Sequence, residues 1–69
     1  MILRNNKIED LSEDIQFLVI LRNLDLKNNC LKDLPKELSV LKNLRSLSLK
    51  GNYIFKLPFE MKNLRKIDF

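Results

Sequence analysis

The densest group of side chains able to do chemistry is Glu9-Asp10-Leu11-Ser12-Glu13-Asp14. Two carboxyls about 5–9.5 Å apart can divide acid and base work between them, and a cluster of acids can hold a cation. Either role needs burial or a constrained like-charge neighbour to shift a pKa and exclude water. This run instead reads as an outer loop and a helix start, where acids favour the first turn and face solvent. The other candidates are sparse. The chain has no His, so a Ser-His or Cys-His nucleophile pair cannot be built, and zinc would be left to one Cys and carboxylates. Gly51 is the only glycine, which excludes a glycine-rich phosphate loop. Cys30 has no cation forced beside it and reads as a small filler rather than a reactive thiol. No catalytic residue, metal ligand or cofactor site is therefore expected.

The length of 69 residues allows one small domain, whose core supplies only about 3–5 kcal/mol. With 45% hydrophobic residues the chain has enough apolar material to fold, and the lone Cys30 cannot close an internal disulfide. Small secreted domains usually depend on several such bridges, so a reducing compartment is expected, the cytoplasm first and the nucleus second. The longest apolar run, Phe17 to Leu21, is far short of the roughly 18 residues a spanning helix needs, and no membrane partner is read from the sequence. The net charge of +4 favours acidic partners in diffusional encounter.

The elements that would carry any site come from internal repetition. Leu21-Arg-Asn-Leu24-Asp-Leu26-Lys-Asn-Asn29-Cys-Leu31 returns 23 residues later as Leu44-Arg-Ser-Leu47-Ser-Leu49-Lys-Gly-Asn52-Tyr-Ile54. The same offset backwards lays Met1, Leu3, Asn6, Ile8, Leu11, Ile15 and Leu18 over Leu24, Leu26, Asn29, Leu31, Leu34, Leu38 and Leu41. Leu31 to Leu38 recurs as Ile54 to Met61, after which three residues are missing, so that Lys62-Asn63-Leu64 follows where Ser39-Val40-Leu41 would stand.

Within a unit, Leu24 and Leu26 lie two apart and share the core face of a short strand. Asn29 follows, and its amide can satisfy backbone groups that a tight turn leaves unpaired; Asn6, Asn29 and Asn52 are expected to stack as a ladder. Pro35 at a first helical position, Glu37 in the first turn and Leu38 and Leu41 three apart predict a short helical return, for which Ser12 is the counterpart start signal in the first unit. The deletion in the last unit removes about one turn of that return.

These residues resemble the leucine-rich repeat family, whose LxxLxLxxNxL pattern Leu21 to Leu31 matches in full and Leu44 to Ile54 matches with Ile at its end. The 23-residue length and the Leu-Pro-X-Glu-Leu that follows resemble the intracellular subclass found in Ras-pathway scaffolds and in many multidomain eukaryotic proteins. The resemblance implies an α/β solenoid of about three repeats, with a short parallel sheet on the concave side and short helical or 3-10 turns on the convex side, and protein binding on the concave face. Divided this way, residues 1–69 form one segment with repeats at about 1–20, 21–43 and 44–63 and the start of a further strand at 64–69. The family's Cys-rich caps are missing, and both ends stop mid-unit, so the chain reads as a fragment or an uncapped segment that completes its core against flanking repeats or by self-association.

The residues the repeat leaves free are the informative ones. Side chains alternating with the core leucines form rows across neighbouring strands. Arg4, Lys27 and Lys50 make one row, and Arg22, Arg45 and Arg65 make another at the strand starts. Between them run Asn23, Ser46 and Lys66, and Ile2, Asp25, Ser48 and Asp68. Like charges on strands about 4.8 Å apart repel, and Asp25 and Asp68 offset this only in part. An acidic protein surface would relieve the rest. Nucleic acid is disfavoured because no aromatic side chain in these rows offers a base a stacking platform. The function expected is thus a non-catalytic protein interaction module or scaffold; the alternative is a regulatory or docking segment of a larger enzyme. Val19, Ile20, Phe55 and Phe59 replace residues that are polar in the sister units and are expected outside the minimal core, as an interface or as cover for missing flanking sequence. Tyr53, beside the Asn52 turn, fits either role.

Overall fold

The computed structural model describes all 69 residues. The leucine pairs do what a period of two demands. Three strands, β1 (Asn23–Asp25), β2 (Ser46–Ser48) and β3 (Lys66–Asp68), form a parallel sheet in the order β1-β2-β3. The 23-residue offset is also the pairing register, with Asn23 opposite Ser46, Leu24 opposite Leu47 and Asp25 opposite Ser48. Ile2 bridges Asp25 on the outer edge of β1, where the Leu3 and Asn5 N–H groups donate to the Asp25 and Lys27 carbonyls. Parallel strands cannot be joined by a tight hairpin, and the chain returns between them through two 3-10 helices, Glu13–Phe17 and Lys36–Val40, which lie against each other.

Each helix has a local cause. Ser12 caps the first, its hydroxyl accepting from the Asp14 N–H at 3.1 Å. Pro35, expected at the first helical position, stands one residue earlier as the N-cap of the second, with an extended backbone and no side-chain hydrogen bond. The third unit has no helix. The Leu64 N–H reaches the Met61 carbonyl just as Leu44 reaches Leu41, so Met61 takes the place of Leu41 rather than of Leu38. The three missing residues are therefore taken from the helical turn before Met61, and the sequence alignment that put the gap after it is corrected.

The core is a ladder of leucines. Leu24, Leu26, Leu31, Leu34, Leu38, Leu41, Leu44, Leu47 and Leu49 are buried together with Ile15 and Ile54. Leu3, Ile8 and Leu11 on one side and Leu57, Met61, Leu64 and Ile67 on the other are only half-buried against it. Burial peaks in the middle because a repeat unit is covered only by its neighbours. Phe59 departs from expectation by packing against this core, whereas Val19, Ile20 and Phe55 are exposed.

Asn29 is the one polar residue inside the stack, 5% exposed. Its amide donates to the Leu3 carbonyl at 3.0 Å and to the Leu26 carbonyl at 2.9 Å, and its Oδ1 accepts from the Ile8 N–H at 3.2 Å. Asn52 repeats this 23 residues on, donating to Leu26 and Leu49 and accepting from the Leu31 N–H at 3.0 Å. Asn6 bonds only its own turn, at the Leu3 and Arg4 carbonyls. The ladder exists, but its rungs run from side chain to neighbouring backbone. One position earlier in each turn, Asn5, Asn28 and Gly51 all have positive φ, and a Cβ on Gly51 would overlap Asn28 Oδ1. Asn tolerates the left-handed region better than most residues, and glycine also leaves room for the neighbouring amide.

Substituting Asn29 by Ala strands the buried Leu26 carbonyl, at about 1–3 kcal/mol, and the part-buried Leu3 carbonyl and Ile8 N–H at less, so the variant is expected to lose about 2–4 kcal/mol. Asn6→Ala, at an exposed position, is expected to lose less than about 1 kcal/mol. Paired urea denaturation curves compare the two; equal losses would show that the ladder does not hold the stack.

Candidate functional site

A parallel sheet is normally covered on both faces. Here one face meets the leucine core and the other is open, lined by the residues that alternate with Leu24, Leu47 and Ile67. The open face holds a shallow depression of about 260 Å³ bordered by Met1, Ile2, Asn23, Asp25, Lys27, Ser46, Ser48, Lys66 and Asp68. Eight of these, all but Met1, belong to the rows read from the sequence. The pairings place Asn23, Ser46 and Lys66 in one rank and Ile2, Asp25, Ser48 and Asp68 in the next.

The ranks are cross-linked. The Ser46 hydroxyl donates to Asn23 Oδ1, and the Ser48 hydroxyl donates to Asp68 Oδ1, so each bond joins residues paired across strands. Arg4 pairs with Asp25 at 2.7 Å, the only ion pair in the chain, while Asp25 Oδ1 accepts from the Lys27 N–H at 3.1 Å. The Ser48 hydrogen bond holds the Asp68 carboxyl below its usual value of 3.8, assisted by Lys27, Lys50 and Lys66 and opposed by partial desolvation. The carboxylates thus act on the cations around them, while Lys27, Lys50 and Lys66 keep their ammonium groups free of ion pairs.

The remaining sequence-predicted residues stand outside the depression. Arg4 and Lys50 are exposed at the C-terminal ends of the strands, where the Asn5 N–H meets the Lys27 carbonyl and the Asn28 N–H meets the Lys50 carbonyl. Arg22, Arg45 and Arg65 form their row at the opposite ends, the Arg45 N–H donating to Arg22 and the Arg65 N–H to Arg45, each at 2.8 Å. The Arg45 guanidinium turns away from the face to the Lys42 carbonyl at 2.6 Å. Period-two reasoning already carried this signal, because Arg22 shares its parity with Leu24 and Leu26. Met1 and Ile2 give the depression an apolar margin; Ile2 is expected in the rank of Asp25, whereas nothing in the alternation of charged and core residues points to Met1. Elsewhere, Glu9, Asp10, Glu13 and Asp14 are exposed on the outer loop and first helix, and Cys30 is half-buried with its N–H on the Ile8 carbonyl. What the face can do chemically is present fixed hydroxyl, amide, ammonium and carboxylate groups to another surface.

The lowered value at Asp68 has a sign that can be followed. A carboxyl held below its unfolded value stabilises the fold at pH above that value, and the contribution disappears as pH falls below 3.8 and through the lowered midpoint. Ser48→Ala removes the largest cause and is expected to move the Asp68 midpoint back toward 3.8, read from side-chain carboxyl NMR shifts. An unchanged midpoint would assign the effect to the lysines.

Comparison with known proteins agrees with this architecture. No curated protein and no solved structure matches the chain. A family model described as leucine rich repeat matches residues 1–54, and a second of the same description matches residues 43–68. The first match covers the segment from Met1 through the Asn52 turn, including the Asn29 and Asn52 rungs and two of the three strands. The stacked strands, the asparagine turns and these two matches together show that the chain belongs to the leucine-rich repeat family.

Proposed function

We propose that this chain is a non-catalytic protein interaction module, a solenoid segment of about three repeats that docks an acidic partner surface on the open, concave face of its sheet. Leucine-rich repeat domains are generally protein-interaction modules. The observation that carries the reading is the open polar face itself: parallel strands this regular are normally covered, and here the uncovered side holds ordered polar groups. Lys27, Lys50 and Lys66 are free to pair with carboxylates of another chain, while Asp25 and Asp68 are held in place by Arg4 and Ser48.

The mechanism is rigid presentation. Residues tied across strands lose little further freedom on binding, so less of the contact energy is consumed by ordering. No helix in the chain is long and apolar enough to cross a membrane. The reading includes one domain over residues 1–69 and a reducing compartment, the cytoplasm or the nucleus, in keeping with the single free Cys30.

An extended oligoglutamate peptide titrated into the isotopically labelled chain tests this. Amide shifts are expected to concentrate on Asn23–Lys27, Ser46–Lys50 and Lys66–Asp68. Joint Lys27→Glu and Lys66→Glu substitution is expected to weaken binding at least about tenfold with an unchanged circular dichroism spectrum. Shifts centred on the helices or the strand-start turns, or none at all, would overturn the assignment.

A further inference from the structure

A second surface lies at the N-terminal ends of the strands, distinct from the open sheet face. Three equivalent turns line up there, with tips at Val19-Ile20, Lys42-Asn43 and Lys62-Asn63. They are closed by the Leu21, Leu44 and Leu64 N–H groups on the Leu18, Leu41 and Met61 carbonyls, at 3.0, 3.2 and 3.3 Å. The Asn43 amide donates to the Val19 carbonyl at 2.9 Å, which fixes the first two tips side by side. Immediately after the tips come Arg22, Arg45 and Arg65, hydrogen-bonded to one another through their backbones.

This rim combines two properties that the repeat does not require. One is an excess of positive charge: Arg22, Lys42, Arg45, Lys62 and Arg65 lie in or next to the three turns, against which only Glu60, just ahead of the third turn, is acidic. The other is a protruding apolar corner. Ile20 is 83% exposed and Phe17 70%, with Val19 and Val40 also more than half exposed. Phe17 and Val40 are the last residues of the two adjacent 3-10 helices, one repeat apart, so the corner is continuous across units.

We propose that this rim docks on an anionic lipid surface, with Phe17, Val19 and Ile20 entering the headgroup boundary and the Arg and Lys side chains meeting lipid phosphates and carboxylates. Charge complementarity selects this occupant, since clustered Lys and Arg are drawn to anionic leaflets while exposed apolar side chains gain from leaving water. Shape selects it as well. The depression at this end, between Leu41, Leu44, Met61 and Leu64, measures only about 20 Å³, too small to receive a partner's side chain. Turn tips that protrude suit a soft planar interface better than a partner that must be gripped. Lying against a bilayer is a different task from crossing one, and it needs no long apolar helix. In this orientation the open sheet face stays free for a protein.

Cosedimentation with vesicles of one part phosphatidylserine to two parts phosphatidylcholine, set against phosphatidylcholine alone, tests the proposal. The chain is expected to partition at least about tenfold more strongly onto the anionic vesicles, falling as salt rises. Phe17→Ser with Ile20→Ser, and separately Arg22→Glu with Lys42→Glu, are each expected to lower partition about tenfold or more at unchanged circular dichroism; these side chains are exposed and make no hydrogen bond or ion pair. Lys27→Gln with Asp25→Asn, which leaves the net charge unchanged, serves as the sheet-face control and is expected to retain most of the binding. Equal partition onto both vesicle types, or loss confined to the sheet-face variant, would overturn it. So would rim amide shifts produced by oligoglutamate and not by anionic vesicles, which would make the rim a protein-docking surface.

Discussion

Everything in this fold depends on carrying a polar turn through an apolar stack. Each repeat bends sharply after its strand, and the bend leaves backbone N–H and C=O groups pointing into a region walled by leucines. At the Asn29 turn the Leu26 carbonyl is buried and the Leu3 carbonyl and Ile8 N–H are part-buried, and an unpaired buried group would cost about as much as the whole chain has to spare. Asn29 resolves this by donating to its own turn and to the preceding one while accepting from a third segment. One side chain therefore fixes a turn, joins two repeats and seals the core. The substitution of Gly for Asn at position 51 belongs to the same constraint, because the neighbouring Asn28 amide occupies the space a side chain would need.

Stacking has an electrostatic consequence. Bringing repeats into register also brings their non-core residues into register, so the sequence rows become physical ranks a strand apart. Ranks of lysine and arginine alone would repel. The face is instead organised around Asp25 and Asp68, one paired to Arg4 and the other hydrogen-bonded by Ser48 and surrounded by lysines. The result is a surface on which four cations, Arg4, Lys27, Lys50 and Lys66, outnumber the two carboxylates.

The two surfaces differ in how the backbone aims their side chains. On the sheet, the pleat turns alternate residues outward, so the residues there are spaced by the strand and linked by Asn23–Ser46 and Ser48–Asp68 bonds. At the strand starts the chain is leaving a turn, and the pleat no longer governs direction. The Arg45 guanidinium settles on the Lys42 carbonyl, and the arginine backbones lie at the strand starts, outside the depression on the face. A row read by sequence offset is a correct statement about neighbours and an incomplete one about direction.

The amino-acid sequence by itself determined the unit: its length, the paired core leucines, the asparagine turn, the helix start at Ser12 and the membership of Asn23, Asp25, Ser46, Ser48, Lys66 and Asp68 in common ranks. These are local properties, set by a period of two, by turn chemistry and by repetition, and they survive transfer from one repeat to the next. Only the tertiary structure decided what depends on neighbours. It set how deeply each equivalent leucine is buried, that Phe59 joins the core while Phe55 does not, that the deletion removes the helical turn ahead of Met61, and which cations are paired, free or folded away. The reason is that burial and charge pairing are sums over contacts from adjacent repeats, and a sequence offset names those contacts without fixing their distances or directions.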